Sequence, residues 1–210
     1  MPPATQAQPK PDPEPDPKPR ASKDPLANKR AYQNTLVKWF GQEGKAYPWR
    51  ETTEPWAILV SEIMLQQTQV ATVLGSNEDG SGGHYKRFMA LYPTPRSMAE
   101  ATEQEILKAW EGLGYYRRAR NLHAAAKAIT RDHNGRFPEK FEQIRALPGI
   151  GPYTAGAVAS FAYNEPQAIV DANVARVFSR LFDFQERIDT TTGNKQIWQW
   201  AQELLPDKNP

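Results

Sequence analysis

The sequence has 210 residues, of which 39% are hydrophobic and 24% are charged, and its formal net charge at pH 7 is +2. This length permits one domain or two small ones with a buried core, and no apolar run reaches the roughly 18 residues of a membrane span. The absence of cysteine excludes disulfides, thiolate catalysis and cysteine-ligated metal within these residues.

The chain begins with a proline-rich leader, which we predict to be disordered over residues 1–27. Nine of the nineteen prolines fall in the first 25 residues, where they alternate with charged residues. Such a segment buries too little apolar surface to fold. The leader also lacks the apolar core of a secretory signal and is too acidic for a typical transit peptide. We therefore expect an intracellular protein that does not associate with membranes.

Residues 28–210 form the predicted folded region, and we expect it to be all-α. Apolar residues recur there at spacings of three and four, with almost no alternating pattern, and Pro or Gly marks the breaks. A polar segment rich in Gly and Ser predicts a flexible inserted loop over residues 75–83. The predicted helices cover residues 28–43, 54–74, 84–92, 103–111, 115–133, 138–146, 152–163, 173–182 and 193–205.

Glu62 lies at an unusual position in the second predicted helix. Its helical neighbours are Ile58, Leu59, Leu65 and Gln66, so the surface around it is mostly apolar. Partial burial there favours the neutral carboxyl group and raises its pKa toward the range of a general acid. A glutamate that extends from the edge of the helix into solvent is an equally good interpretation of this helix alone.

The polar, uncharged run QQTQ over residues 66–69 follows directly. Amide side chains of this kind are suited to fill a gap in a base stack. The alternative is the solvated face of an amphipathic helix, which we favour for Gln69.

A hairpin between two helices is predicted over residues 146–156. Pro148 ends one helix, Gly149 and Gly151 permit positive φ, and Pro152 suits the first turn of the next helix. Free amides at such a helix N-terminus favour an anion such as a DNA phosphate. A plain turn between packed helices remains the alternative.

Asp171 and Asn173 stand where the helix predicted over residues 173–182 begins. Either side chain is suited to cap that helix, which is a purely structural role. Beside Glu62, however, Asp171 offers a second carboxyl group, and two carboxyl groups in different environments are able to divide acid and anion roles.

Four motifs taken together resemble the helix-hairpin-helix DNA glycosylases, and most closely the MutY-type adenine DNA glycosylases. They appear in the order of that family and cover roughly residues 30–205. The motifs are residues 61–70 (SEIMLQQTQV), 112–122 (GLGYYRRARNL), 147–156 (LPGIGPYTAG) and 170–177 (VDANVARV).

The resemblance implies a helical fold in which DNA and a base pocket lie between two subdomains. It implies duplex DNA as the partner, with adenine opposite 8-oxoguanine or guanine flipped out of the helix. Glu62 corresponds to the acid that protonates adenine, and Asp171 to the carboxylate that stabilises the sugar cation. Tyr153 and Asn173 correspond to positions that line the same pocket.

Tyr153 distinguishes two enzymatic interpretations. The related endonuclease III type has a lysine at this place, which forms a Schiff base and allows strand cleavage. Because a phenol cannot form an imine, we expect base removal without efficient cleavage. The alternatives are a bifunctional glycosylase and lyase for oxidised pyrimidines, and a non-catalytic DNA-binding fragment.

The resemblance also implies contacts with DNA. Gln67 and Tyr116 correspond to residues that enter the base stack, while Tyr115 is better explained as a core residue. The arginines beside them supply local positive charge, which the balanced charge of residues 31–210 does not. The predicted DNA-binding residues are Gln66, Gln67, Tyr116, Arg117, Arg118, Arg120, Gly149, Ile150, Gly151 and Thr154.

Two cofactors are associated with the resemblance. In the family, hairpin carbonyls hold a monovalent cation, so Leu147, Gly149 and Ile150 are the candidate contacts. The family also carries a [4Fe-4S] iron–sulfur cluster on four cysteines, followed by a module that recognises 8-oxoguanine. This sequence contains neither, and we expect it to end before both. We further expect a monomer.

Overall fold

A computed structural model describes residues 25–75 and 82–206, and every regular element in these ranges is a helix. The all-α prediction is confirmed for this part of the chain. Most of the predicted leader over residues 1–27 and most of the predicted loop over residues 75–83 lie outside the described residues. The α-helices are α1 (Lys29–Glu43), α2 (Pro55–Leu65), α3 (Val70–Leu74), α4 (His84–Leu91), α5 (Pro95–Glu100), α6 (Glu103–Ala109), α7 (Arg117–Asp132), α8 (Phe141–Arg145), α9 (Pro152–Tyr163), α10 (Ala172–Leu181) and α11 (Thr191–Leu204).

A 3₁₀ helix, Pro48–Arg50, joins α1 to α2. Within the described ranges, no helix is both long enough and apolar enough to cross a bilayer.

Helix α5 was missed by the sequence prediction, because the prolines around it were interpreted as a break. Its N-terminus is well capped. The Thr94 hydroxyl accepts the amide of Ser97 at 3.1 Å, and Pro95 occupies the first turn. Proline is favoured at that position since its missing N–H would be unpaired there anyway. The Thr-Pro pair was therefore a helix start, and the signal was available in the sequence.

The helix predicted over residues 54–74 is also wrong, because the structure contains two helices with a turn over residues 66–69. Helix α2 ends at Leu65 and α3 begins at Val70. Gln67, within this turn, has a φ of 55°, which lies in the left-handed region that non-glycine residues rarely adopt. The polar run is therefore a turn between two helices, and neither a continuous helix nor its solvated face.

Helix α2 is the centre of the larger hydrophobic core. It packs against α4, α7 and α9, and eight of its eleven residues are buried, as expected of a helix that is apolar on all sides. Trp56 is fully buried, and its indole N–H donates to the Tyr92 carbonyl at 2.9 Å. Glu62 is the only charged residue of this helix.

A second, smaller cluster of buried side chains lies around α10 and α11, where Phe178, Ile197 and Leu204 pack together. Asp171, the residue that caps α10, lines a cleft together with residues that the larger core positions. The candidate site is therefore assembled from both clusters.

Candidate active site

A cleft of about 890 Å³ lies where α2, α7, α9 and α10 meet. It brings together side chains from all four sequence motifs. The predicted residues that line it are Glu62, Gln66, Gln67, Tyr116, Arg117, Arg118, Arg120, Tyr153 and Asp171.

Glu62 is partly buried on the last turn of α2 and has a strongly perturbed acidity. Burial raises its pKa from 4.5 to about 7, and the nearby Asp171 carboxylate adds to this effect. A hydrogen bond from Tyr153 and the positive charge of Arg50 act in the opposite direction. Because the protonated and ionised forms of this carboxyl group are then nearly equally populated at neutral pH, Glu62 is suited to donate a proton at that pH.

Tyr153 lies on the first turn of α9, and its phenol hydrogen bonds to the Glu62 carboxyl group. Burial and the charges of Glu62 and Asp171 raise the pKa of Tyr153 far above its usual value. The phenol therefore keeps its proton, so it donates to Glu62 and orients that carboxyl group.

Asp171 caps helix α10. Its Oδ1 accepts the Val174 amide at 2.7 Å, and its Oδ2 accepts the Asn173 side-chain amide at 3.0 Å. Asn173 is exposed and also accepts from Arg176 at 2.9 Å. Asn173 lines neither of the two cavities that Glu62 lines, so it reaches the site through Asp171. The capping role and a place beside Glu62 coexist in Asp171, because the cap is what holds the carboxylate there.

A second cavity, of about 540 Å³, also borders Glu62. Glu62, Leu65 and Tyr153 line both cavities. The remaining walls of the second cavity are mostly aromatic or apolar, as is typical of pockets that bind small molecules. The further lining residues are Phe40, Tyr47, Trp49, Arg50, Thr52, Thr53, Ile58, Ser61, Val70, Phe161 and Ile169.

Sequence reasoning missed Trp49 and Arg50. Trp49 is buried, and the Arg50 guanidinium lies 4.9 Å from the centre of the Tyr47 ring. Both belong to the 3₁₀ helix, whose three residues are too few to show a periodic pattern of apolar residues. The clustering of Tyr47, Trp49 and Arg50 around Pro48 was the only available signal.

Arg118 differs from the prediction that it contacts DNA. It is only 7% exposed, and its guanidinium donates to the carbonyls of Ile63, Met64 and Leu113 at 2.8 to 3.1 Å. A guanidinium engaged in this way is not available to a phosphate, so the prediction for Arg118 is corrected to a structural role.

The neighbours of Arg118 remain at the surface. Tyr115 and Tyr116 are 64% and 40% exposed, so the core position that we expected for Tyr115 is wrong. Tyr115 has a φ of 45°, which turns the chain before α7. Arg117 is exposed, and Arg120 is half-exposed in an ion pair with Glu103 at 2.8 Å. These side chains remain candidates for contact with DNA.

In the hairpin between α8 and α9, Gly149 has the positive φ that the sequence predicted. Gly149 has a φ of 73°, and a Cβ on it would lie 2.5 Å from the Cβ of Asn121 on α7. Gly151 precedes α9, and Pro152 begins it. The backbone amides of Tyr153 and Thr154 in the first turn of α9 have no intrahelical partner, as the phosphate-binding hypothesis requires.

Two hairpin residues lie deeper than predicted. Ile150 is 7% exposed, and its amide donates to the Leu147 carbonyl at 3.2 Å. Thr154 is 3% exposed, and its hydroxyl accepts the Gln66 side-chain amide at 3.5 Å. Neither the Ile150 amide nor the Thr154 side chain is free for DNA. The predicted contacts are therefore limited to the hairpin glycines and to backbone amides of α9.

The residues present do not fit an iron–sulfur cluster, because the sequence contains no cysteine. The described residues also contain no group of three or more His, Asp or Glu side chains that would hold a metal ion. The monovalent cation at the carbonyls of Leu147, Gly149 and Ile150 stays a prediction, and one of those three carbonyls already accepts a hydrogen bond within the turn.

Comparison with known proteins places the site in a family context. Residues 60–203 match the family model of the HhH-GPD superfamily of base excision DNA repair proteins. The adenine DNA glycosylase of Homo sapiens is 37% identical over 194 residues, which cover 88% of this chain and 34% of that protein. The adenine DNA glycosylase of Mycobacterium tuberculosis is 45% identical over 146 residues, which cover 69% of this chain and 45% of that protein. This chain therefore spans about a third to a half of the length of these curated relatives.

Solved structures show the same architecture. A thermostable thymine-DNA glycosylase is 27% identical with a TM-score of 0.73, over 88% of this chain and 82% of that one. An endonuclease III trapped as a covalent intermediate with DNA is 23% identical with a TM-score of 0.66, over 85% of this chain and 79% of that one. The second likeness concerns the fold alone. The predicted helix-hairpin-helix glycosylase fold is confirmed.

The raised pKa of Glu62 predicts an effect on stability. Between about pH 4.5 and pH 7 the carboxyl group ionises in the unfolded chain but not in the fold, so the free energy of unfolding falls as the pH rises. Glu62→Gln removes this loss. Relative to the wild type, the variant is expected to gain about 2 kcal/mol between pH 4 and pH 8, after allowance for solvent at a partly exposed group.

Urea unfolding of both chains at pH 4, 6 and 8 measures this gain. The control is Glu54→Gln, which removes an exposed carboxyl group at the start of the same helix. A constant difference between Glu62→Gln and the wild type across this range would contradict the raised pKa.

The hairpin geometry predicts that Gly149→Ala and Gly151→Ala differ. Alanine at position 149 must adopt a positive φ and collides with Asn121, so the free energy of unfolding should fall by about 1–3 kcal/mol. At position 151, φ is −88° and no atom lies within 4 Å of an added Cβ, so the change should stay within about 0.5 kcal/mol. Denaturant unfolding of the two variants tests this, and equal effects would contradict the close contact.

Proposed function

Because this chain belongs to the HhH-GPD superfamily of base excision DNA repair proteins, we propose that it is a monofunctional adenine DNA glycosylase. It hydrolyses the N-glycosidic bond of adenine mispaired with 8-oxoguanine or with guanine in duplex DNA. The names of its curated relatives support adenine as the base.

The observation that carries this proposal is the position and acidity of Glu62. Glu62 lines both the cleft and the second cavity, and the pKa of its carboxyl group is about 7. A base inside a duplex is inaccessible and must be extruded before it reacts. In this proposal the cleft holds the DNA backbone, and the mostly apolar second cavity holds the extruded adenine. Glu62 then lies at the glycosidic bond between the two.

The reaction follows from this arrangement. Glu62 gives its proton to the adenine, the bond between the base nitrogen and the sugar carbon breaks, and the bonding electron pair leaves with the base. The sugar is left as an oxocarbenium-like cation. A water molecule adds to that carbon and loses a proton, which restores the acid form of the enzyme. The products are free adenine and an abasic site.

Asp171 stabilises the developing cation. Its carboxylate is fixed by the Val174 amide and the Asn173 side chain, so no reorganisation is needed when positive charge forms on the sugar. Fixed opposite charge of this kind is commonly the largest contribution to such a reaction. Glu62 and Asp171 thus divide the acid and anion roles, as in other glycosidases.

The absence of a lyase step follows from Tyr153. An amine is required to form a Schiff base with the sugar aldehyde, whereas this position on α9 carries a phenol that hydrogen bonds to Glu62. The abasic strand therefore stays intact until alkali cleaves it.

The partner in this proposal is double-stranded DNA. Gln67 and Tyr116 enter the stack around the mispair, and stacking of an aromatic side chain on a base contributes about 1–3 kcal/mol. Arg117, Arg120 and the hairpin amides contact phosphates. In this proposal the enzyme acts as a monomer inside the cell, where the DNA is.

Single-turnover assays test the proposal directly. Duplexes with adenine opposite 8-oxoguanine, adenine opposite guanine, and thymine glycol are incubated with the chain and analysed with and without alkali. Abasic sites are expected only in the duplexes with adenine, and strand breaks only after alkali. Because Glu62 supplies the proton, Glu62→Gln should reduce base release by at least about 100-fold while leaving duplex binding largely intact.

Glu54→Gln is the matched control, since Glu54 is exposed and lies at the other end of α2. Adenine release by Glu62→Gln at the wild-type rate would exclude Glu62 as the acid. An adduct trapped by borohydride on thymine glycol would instead support a bifunctional enzyme.

The acid role also predicts the pH dependence of base release. Only protonated Glu62 donates, so the single-turnover rate should fall as the pH rises above about 7. Tyr153→Phe removes a hydrogen bond that lowers the pKa of Glu62, so the fall should move to higher pH in that variant. Rates measured between pH 5 and pH 9 test both points, and a displacement to lower pH would contradict the assigned hydrogen bond.

A further inference from the structure

Arg118 is a buried cation without a carboxylate partner in the described part of the chain. It lies on the first turn of α7 and is 7% exposed, whereas the ion pairs among these residues involve other arginines. A buried guanidinium is costly unless hydrogen bonds satisfy it. The backbone carbonyls that accept hydrogen bonds from Arg118 therefore indicate its structural role.

One nitrogen of the guanidinium binds the end of α2. Nη1 donates to the carbonyls of Ile63 at 3.1 Å and Met64 at 2.8 Å, and also to the Gln66 carbonyl. The last carbonyls of a helix have no intrahelical partner. Arg118 satisfies them at the point where the chain leaves α2 and enters the turn that carries Gln67.

The other terminal nitrogen binds the segment that precedes α7. Nη2 donates to the carbonyls of Leu113 at 2.9 Å and Gly114 at 3.4 Å. The guanidinium also lies 5.6 Å from the Trp110 ring centre and 5.5 Å from that of Tyr115. It therefore holds the turn from which Tyr115 and Tyr116 project.

Both turns contain a non-glycine residue in the left-handed region, Gln67 at a φ of 55° and Tyr115 at 45°. Such conformations persist only where surrounding interactions hold them. The two turns lie about fifty residues apart in the sequence and border the same cleft. Arg118 contacts both of them with a single planar group.

We propose that Arg118 is a positioning residue that joins the turn of Gln67 to the turn of Tyr115 and Tyr116, so that Gln67 and Tyr116 enter the DNA as one rigid unit. The inference rests on the proposed function, since it concerns how that site engages DNA. Arginine is required because two nitrogens at a fixed angle serve two segments. Lysine keeps the charge but has one nitrogen, which satisfies only one of the two turns.

Amide hydrogen exchange of the chain without DNA tests whether Arg118 holds both turns, and it does not depend on activity. Three backbone amides report on the turns through local hydrogen bonds, those of Thr68, Leu113 and Arg118 itself. In Arg118→Lys, the amide at each of these positions is expected to exchange at least about tenfold faster than in the wild type. Amides in the middle of α9 should keep their protection.

Arg131→Lys is the matched control, because Arg131 lies at the far end of the same helix and is exposed. Faster exchange in only one of the turns, or in neither, overturns the proposal. Equal acceleration throughout the chain also overturns it, because Arg118 would then support the fold in general.

A double-mutant cycle tests the consequence for base release. Arg118→Lys is expected to slow single-turnover release by about 10- to 100-fold, the effect of a small misplacement of a positioned group. If Arg118 acts through Gln67, the double variant with Gln67→Ala is no slower than the slower single variant. Rate losses that multiply would contradict the proposal.

The two experiments separate this inference from the proposed function. If the wild-type chain released no adenine from any duplex, the proposed function would fail, and the exchange data would still decide whether Arg118 joins the two turns.

Discussion

The apolar surroundings of Glu62 are the constraint on which the site depends. Helix α2 is buried on nearly every side, and Glu62 is its only charged residue. Burial raises the pKa of this carboxyl group to about 7, and the helix that causes the burial also places the group against two cavities. The same packing thus sets both the pKa and the location of the candidate acid, at a cost to the stability of the fold.

The rest of the site is built from helix ends. Asp171 is fixed because it caps α10, Tyr153 is presented by the first turn of α9, and Gln67 follows the last turn of α2. Helix ends carry unpaired amides and carbonyls that other groups must satisfy. Asp171 satisfies one of these amides with its own carboxylate, so the contact that caps α10 also fixes this group of the candidate site.

Features of the fold and site that are caused by neighbouring residues could be predicted from the sequence, whereas those caused by contacts between distant segments could not. Helix α9 begins at Pro152, as predicted, because proline and glycine act on the adjacent backbone. Glu62 could be identified because its apolar neighbours lie within one helical turn. The end of α2 could not, since nothing in residues 66–69 forbids a helix, and the group that binds the last carbonyls, Arg118, lies more than fifty residues later. The burial of Thr154 against Gln66 likewise depends on a contact between distant segments.

Helix α7 contacts two separate parts of the candidate site. Arg118 contacts the turn of Gln67 and the turn of Tyr115 and Tyr116, and Asn121, three residues later, lies against Gly149 of the hairpin. The two positions are separated by less than one turn of helix, which is about 5.4 Å. A rigid helix therefore fixes the distance between these turns and the hairpin. In the proposed function the hairpin binds a DNA strand while the turns contact the bases, so the DNA must adapt to a distance that the protein sets.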